Sequence, residues 1–183
     1  MVTETAALAE ARRIAASVPD PELPMLTLAD LGILRDVSVS GQRVTVSLTP
    51  TYSGCPALAE MGRDVAARLA AAGFADVEVR TVLSPPWSTD LISADGRRKL
   101  AEAGLAPPRS LLGAGTGGGR PPGTRRETDG PVPLTLFASG PPVTCPRCGS
   151  ADTTLTAAFS GTACKDLRRC LACAEPFEHV KEV

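Results

Sequence analysis

Hydrophobic and polar positions along the first hundred residues follow two different periods. Apolar residues that recur three and four positions apart, alanine-rich composition and capping residues are typical of helices. The predicted helices span residues 4–18, 56–72 and 93–103. Strict alternation of apolar and polar positions is instead typical of half-buried strands. The predicted strands span residues 33–39, 43–49 and 75–83.

These elements follow each other in the order α-β-β-α-β-α, which predicts a small α+β domain over residues 1–105. Ser40-Gly41-Gln42 is a turn sequence, so we expect the first two strands to form an antiparallel hairpin. The proline-rich residues 19–24 cannot continue the first helix and predict an ordered loop. Residues 26–31 are expected to form a short helical turn that Gly32 ends.

The composition changes after residue 105. Residues 106–141 contain seven prolines and eight glycines, too many to bury a core, and predict a flexible linker. Within this linker, residues 132–137 have the composition of a short strand. Residues 142–183 hold five of the six cysteines and predict a small, separately folded zinc ribbon. A flexible linker implies that the two folded parts are independent of each other.

Overall charge and hydropathy exclude several classes of protein. The formal net charge is −1, and residues 142–183 carry five basic and five acidic residues, so a general nucleic-acid binder is not expected. No apolar run approaches the length of a membrane span, and no secretory signal precedes the first helix. The paired spacing of the cysteines suits metal binding better than disulfides. We therefore expect a cytoplasmic protein.

The strongest chemical motif is a pair of CxxC sequences. Two such sequences bring four thiolates to one tetrahedral zinc ion, and four cysteine ligands close the site, which favours a structural role. The ligands predicted in this way are Cys145, Cys148, Cys170 and Cys173. Iron, or an iron–sulfur cluster, suits the same four thiolates, so the identity of the metal stays open at this stage.

A second candidate is Cys55, at the turn between the second strand and the second helix. Pro56 suits the first helical position, which places Cys55 near the N-cap. Free backbone amides and the helix dipole there favour a thiolate that could handle iron or a cluster. The alternative is a small cysteine that packs behind the turn, and the residues alone do not decide between the two.

Three further residues are candidates, with a structural alternative for each. Asp20 and Glu22 lie in the proline-locked loop, where they could hold metal, contact a partner or simply cap a turn, the usual role of Asp before Pro. Cys164 either gains reactivity from the neighbouring Lys165 or is a buried cysteine of the ribbon, and the second is favoured. His179 is expected on the surface of the last strand and is not assigned to the metal.

Several of these sequences together resemble a known family. The loop at 20–24, the triplet at 30–32 and the turn at 49–56 are similar to the iron–sulfur assembly family that includes the SufT-type proteins, over residues 4–105. Additional motifs at 86–90, 96–100 and 161–177 resemble the PaaD (PaaJ) subunits of phenylacetyl-CoA oxygenase systems, over nearly the whole chain. The glycine-rich linker does not match that pattern closely.

The resemblance implies an accessory protein of aerobic phenylacetate degradation, whose partners are the oxygenase or its reductase. It implies maturation of a metal site or iron–sulfur cluster, with transient iron or cluster handling as the task of Cys55, Asp20, Glu22 and Cys164. The residues agree that the chain is not the oxygenase itself, because one histidine cannot supply two Glu-x-x-His motifs. A purely structural subunit of the oxygenase complex is the alternative.

Overall fold

The computed structural model describes residues 4–52, 54–109 and 142–182. The N-terminal part has the predicted order α-β-β-α-β-α. Its helices are α1 (Glu4–Ala16), α2 (Ala57–Ala71) and α3 (Ala94–Glu102), and its strands are β1 (Leu34–Ser40), β2 (Arg43–Leu48) and β3 (Asp76–Thr81). A short 3-10 helix, Thr89–Leu91, precedes α3. The α+β class predicted from the sequence is confirmed.

The three strands form one sheet with β2 in the middle. The hairpin of β1 and β2 is antiparallel, as the turn sequence predicts, and pairs Val37 with Val46. Strand β3 runs parallel to β2, because α2 provides the crossover between them. Both α1 and α2 pack on this sheet and against each other. The fully buried Val44 and Val46 face them from β2, as the alternating pattern requires.

The triplet Asp30-Leu31-Gly32 attaches the segment around Trp87 and α3 to this core. The indole of Trp87 donates a hydrogen bond to the carbonyl of Leu31 at 2.8 Å. Lys99 of α3 contacts Asp30 at 2.6 Å. Gly32 has φ of 66°, and a Cβ there would lie 2.6 Å from Leu91, so the close approach requires glycine. These motifs therefore act here in packing.

The C-terminal part is a three-stranded antiparallel meander. Its strands are β4 (Thr153–Ala157), β5 (Lys165–Cys170) and β6 (Pro176–Val180), with β5 in the middle. Its core is small and contains Cys145, Cys170 and Phe177. Such a core is too small to stabilise about 40 residues alone, and this size fits a metal-stabilised ribbon.

The two folded parts are in direct contact, in contrast to the independence that we expected from the linker. Ala106, which follows α3, pairs with β6 and is buried in the ribbon core. In the other direction, Val180 of β6 is buried in the core of the N-terminal part. Arg109 adds an ion pair to Glu182 at 3.1 Å. Each part thus contributes a residue to the core of the other.

Most of the predicted linker, including the strand expected at 132–137, lies outside the described residues. Its first residues, 106–109, belong to the contact with the ribbon. The remaining domain boundaries stay a prediction. Among the residues that the structure describes, no helix is long and apolar enough to cross a membrane.

Candidate functional site

The four cysteines of the two CxxC sequences converge at one end of the ribbon. Their sulfur atoms all lie within 4.8 Å of one another, with 3.8 Å between Cys145 and Cys173 and 3.6 Å between Cys148 and Cys170. A tetrahedral zinc ion with Zn–S bonds of about 2.3 Å requires sulfur atoms about 3.8 Å apart. The cluster therefore fits a structural zinc ion, with all four positions taken by protein ligands.

The backbone of both knuckles supports this arrangement. Gly149 follows the first knuckle with φ of 74°, and Ala174 follows the second with φ of 61°. The sequence revealed the first of these positions by its glycine but gave no sign of the second. The left-handed residue closes each knuckle, and the amide of Gly149 donates to the carbonyl of Cys145 at 2.9 Å.

Backbone amides also contact the sulfur atoms and change their acidity. The amide of Cys173 lowers the pKa of Cys170 to about 7. The amide of Ser150 lowers the pKa of Cys148, but hydrogen bonds with the other thiols raise it to about 12. One thiol therefore loses its proton near neutral pH, and the others lose theirs when metal binds.

Cys55 lies one residue further from the helix than the sequence predicted. Pro56 is the N-cap residue, although its φ of −67° and ψ of −28° are already helical, and α2 begins at Ala57. The side chain of Cys55 is half-buried and packs against the core on one side. The backbone amide of Cys55 donates to the carbonyl of Tyr52 at 3.2 Å and closes the turn.

The proline-locked loop places its two carboxylates differently. Oδ1 of Asp20 accepts hydrogen bonds from the amides of Glu22 and Leu23, each at 2.8 Å, which is the turn-capping role expected for Asp before Pro. Asp20 is buried, and burial raises its pKa although both amides lower it. Glu22 is half-buried, and its carboxylate contacts the ribbon.

Cys164 comes from the loop between β4 and β5 and reaches across to the N-terminal part. Its thiol donates to Oε2 of Glu22 at 3.8 Å and lies 3.1 Å from Oγ1 of Thr162. Burial raises the pKa of Cys164, and the charge of Glu22 adds to this effect. Lys165 lowers the pKa too little to reverse it, because its ammonium group pairs with Glu178 at 2.7 Å. The half-buried ribbon cysteine is thus the better description.

One cavity of about 260 Å³ joins these residues at the contact between the two folded parts. It has an apolar floor that includes Ile33, Met61 and Trp87, and four potential ligands on its walls. The ligands are Asp20, Glu22, Cys55 and Cys164. Their side chains are not gathered around one point, because in the described residues only the ribbon cysteines are close enough together to hold an ion.

Two further features of the cavity were not predicted. Tyr52 lies on its wall, and burial raises the pKa of the phenol, with added contributions from the negative charges of Cys55, Glu22 and Cys164. Lys181 and Glu182, just after β6, form part of the ribbon side. No local pattern could have placed these two residues, since they reach the cavity only through the docking of β6.

Cys55 also borders a second, open groove between α2 and β3. Leu58, Gly62 and Val79 form its sides. The cysteine therefore separates a cavity that the ribbon covers from a surface that a partner protein can approach.

The prediction that His179 lies on the surface is wrong. The ring is 1% exposed, with Nδ1 3.2 Å from Asp166 and Nε2 3.5 Å from Glu182. Its strand partner Asp166 also pairs with Arg168. His179 shares its strand face with Phe177, so the alternation in β6 was the signal for burial.

The fold and the two thiol sites define the class: an iron–sulfur assembly domain joined to a zinc ribbon. Two family models agree, one described as "Iron-sulfur cluster assembly protein" at residues 9–82 and one as "PaaD zinc beta ribbon domain" at residues 129–181. The domain of unknown function DUF59 from Bacillus anthracis is a solved structure with TM-score 0.50 and 27% identity. The similarity covers 54% of this chain and 94% of that one.

Two relatives narrow the assignment. The D subunit of a 1,2-phenylacetyl-CoA epoxidase of Escherichia coli K12, a protein so named by inference, is 38% identical over 90% of this chain and 86% of its own length. The "Fe-S protein maturation auxiliary factor SufT" of Staphylococcus aureus USA300 is 38% identical over 42% of this chain and 88% of its own length. The chain belongs to the PaaD family, that of the epoxidase D subunits.

Proposed function

We propose that this chain is an accessory protein of a phenylacetyl-CoA epoxidase system in aerobic phenylacetate degradation. Its task is to mature a metal site or iron–sulfur cluster of the oxygenase or of its reductase. The Escherichia coli relative and the SufT factor support the two halves of this proposal, the pathway and the maturation role. The partners are then the other subunits of the epoxidase system.

The observation that carries the maturation role is the position of Cys55. The sulfur lies between a cavity that contains Asp20 and Glu22 and an open groove beside α2. A thiol that a client protein can reach from one side suits a metal or cluster that is passed on. A sulfur buried on all sides would suit only packing.

The remaining groups support an accessory role without redox chemistry of its own. The single histidine is held between two carboxylates at the contact of the two parts. The ribbon thiolates would be saturated by zinc, which leaves no open position for a substrate. We therefore assign no catalytic residue, and we place the protein in the cytoplasm, where such thiols stay reduced.

The test is a Cys55→Ser variant in cells that grow on phenylacetate. Serine replaces one atom, and on a half-buried turn we expect a stability cost below about 1 kcal/mol. The variant should stay folded and keep its ribbon zinc, but the cells should fail to assemble active epoxidase. The oxygenase or reductase purified from them should lack iron or its cluster, as metal and sulfide analysis would show.

The matched control is Ala59→Ser, which adds the same hydroxyl to the exposed face of α2 beside the groove. This variant should support normal growth. A structural subunit of the complex needs the surface and not the thiol. Normal growth and full metal content with Cys55→Ser would therefore refute the maturation role and leave the structural role.

A further inference from the structure

The ribbon contributes a thiol to the cavity of the N-terminal part. Cys164 lies 142 positions after Glu22 in the chain, yet its sulfur is 3.8 Å from the Glu22 carboxylate. Cys55 lines the same cavity. The exchange of Ala106 and Val180 between the two cores holds the ribbon in this place. The cavity is thus complete only when the ribbon is docked.

We propose that this cavity is an exchangeable binding site for one divalent metal ion of the iron(II) type, held by Cys55, Cys164 and Glu22. The inference rests on the proposed maturation role and names the cargo and the second thiol. On binding, both thiols lose their protons to solvent and the carboxylate binds in its ionised form. The ribbon therefore supplies one of the two sulfur ligands.

The spacing of the two ligands that already meet is close to that of a coordinated pair. With metal–sulfur and metal–oxygen bonds of about 2.3 and 2.1 Å, a tetrahedral ion holds sulfur and oxygen about 3.6 Å apart. The observed distance of 3.8 Å needs little adjustment. Cys55 has to turn towards this pair, since the three ligand atoms do not lie around one point.

The ligand set favours a single exchangeable ion over a resident cluster. Clusters are usually held by four thiolates, and the cavity offers two. Two thiolates and one carboxylate leave a coordination position open, through which a client ligand can replace a protein ligand. The ribbon site has four thiolates and no such position, so the two metal sites of the protein would differ in exchange rate.

The experiment is a cobalt(II) titration of the full-length, zinc-loaded protein under anaerobic, reducing conditions. Zinc outcompetes cobalt for the ribbon thiolates, so cobalt should bind at the second site while the zinc content stays constant. We expect one additional cobalt ion per chain, with the charge-transfer absorption of thiolate ligands. Cys55→Ser and Cys164→Ser should each weaken binding at least about tenfold and remove about half of that absorption.

Glu22→Gln should weaken binding but leave the absorption per bound cobalt unchanged, because it removes no sulfur. Its matched control is Glu60→Gln, a carboxylate on the exposed first turn of α2, which should bind cobalt like the wild type. Retained zinc and the fluorescence of Trp87 show whether each variant is folded. Cobalt binding by Cys164→Ser with the wild-type affinity and absorption would overturn the proposal.

A measurement on the wild-type protein avoids any effect of substitution on folding. Bound cobalt should protect both Cys55 and Cys164 from alkylation, as peptide mass spectrometry would report. Protection of Cys55 alone would overturn the proposal. Failure of the site is distinguishable from failure of the maturation role, because growth of the Cys55→Ser strain tests the role without reference to cobalt.

Discussion

Replacement of Val180 by alanine should destabilise the N-terminal part, although the residue belongs to the ribbon. Val180 is 5% exposed and lies in the core formed by α1, α2 and the first sheet. The substitution removes two buried methyl groups, which costs about 1.6 kcal/mol, and the cavity that remains raises this to about 2 kcal/mol. The free energy of unfolding should fall by that amount if the ribbon is docked in solution.

Trp87 makes the measurement specific for the N-terminal part. It is the only tryptophan, it is buried, and it donates to the carbonyl of Leu31 at 2.8 Å. Urea unfolding followed by its fluorescence should show a midpoint lower by about 1 M, for a slope of about 2 kcal/mol per M. The matched control is Leu155→Ala on β4, where the side chain is 52% exposed and the change should be below about 0.5 kcal/mol. An unchanged Trp87 midpoint for Val180→Ala would show that the two parts unfold independently and would refute the docking.

Two other predictions concern the zinc ion and pH. Chelation of one tightly bound zinc should unfold the ribbon and also lower the Trp87 midpoint, whereas Cys148→Ser should prevent zinc binding altogether; a zinc-loaded Cys148→Ser protein would argue against the assignment. Burial raises the pKa of Asp30, but Lys99 and Thr27 lower it by more, so the net pKa is below its usual value. Stability from this group is full above the unfolded pKa and is lost as pH falls through the lower folded pKa. Lys99→Met should move acid unfolding, followed by Trp87 fluorescence, to higher pH, and an unmoved midpoint would contradict the role of this ion pair.

Local patterns in the sequence were enough to predict the order of the elements and the metal ligands of the ribbon. The period of apolar residues reports which face of a segment is buried, and this depends only on neighbours along the chain. The CxxC spacing likewise determines that each pair of sulfur atoms can share one ion. The structure agrees with both, with small shifts at the ends of helices such as α2, which begins at Ala57.

The sequence also contained the candidate residues of the cavity but not the reason that they meet. Asp20 was expected to cap a turn, and the hydrogen bonds from Glu22 and Leu23 show this. The acidity of Cys164 was not accessible, because it depends on burial and on a carboxylate 142 positions away. A neighbouring lysine in the sequence was a poor guide, since Lys165 is occupied by Glu178.

What the sequence alone determined is therefore the set of elements, their faces and the local ligand pairs. Only the tertiary structure decided that the ribbon docks on the first part, that His179 is buried and that Cys164 joins Cys55 in one cavity. The physical reason is that alternation in β6 shows that a face is buried but does not say against which surface. That surface is chosen by the complementary packing of Val180 and Ala106, two residues far apart in the chain.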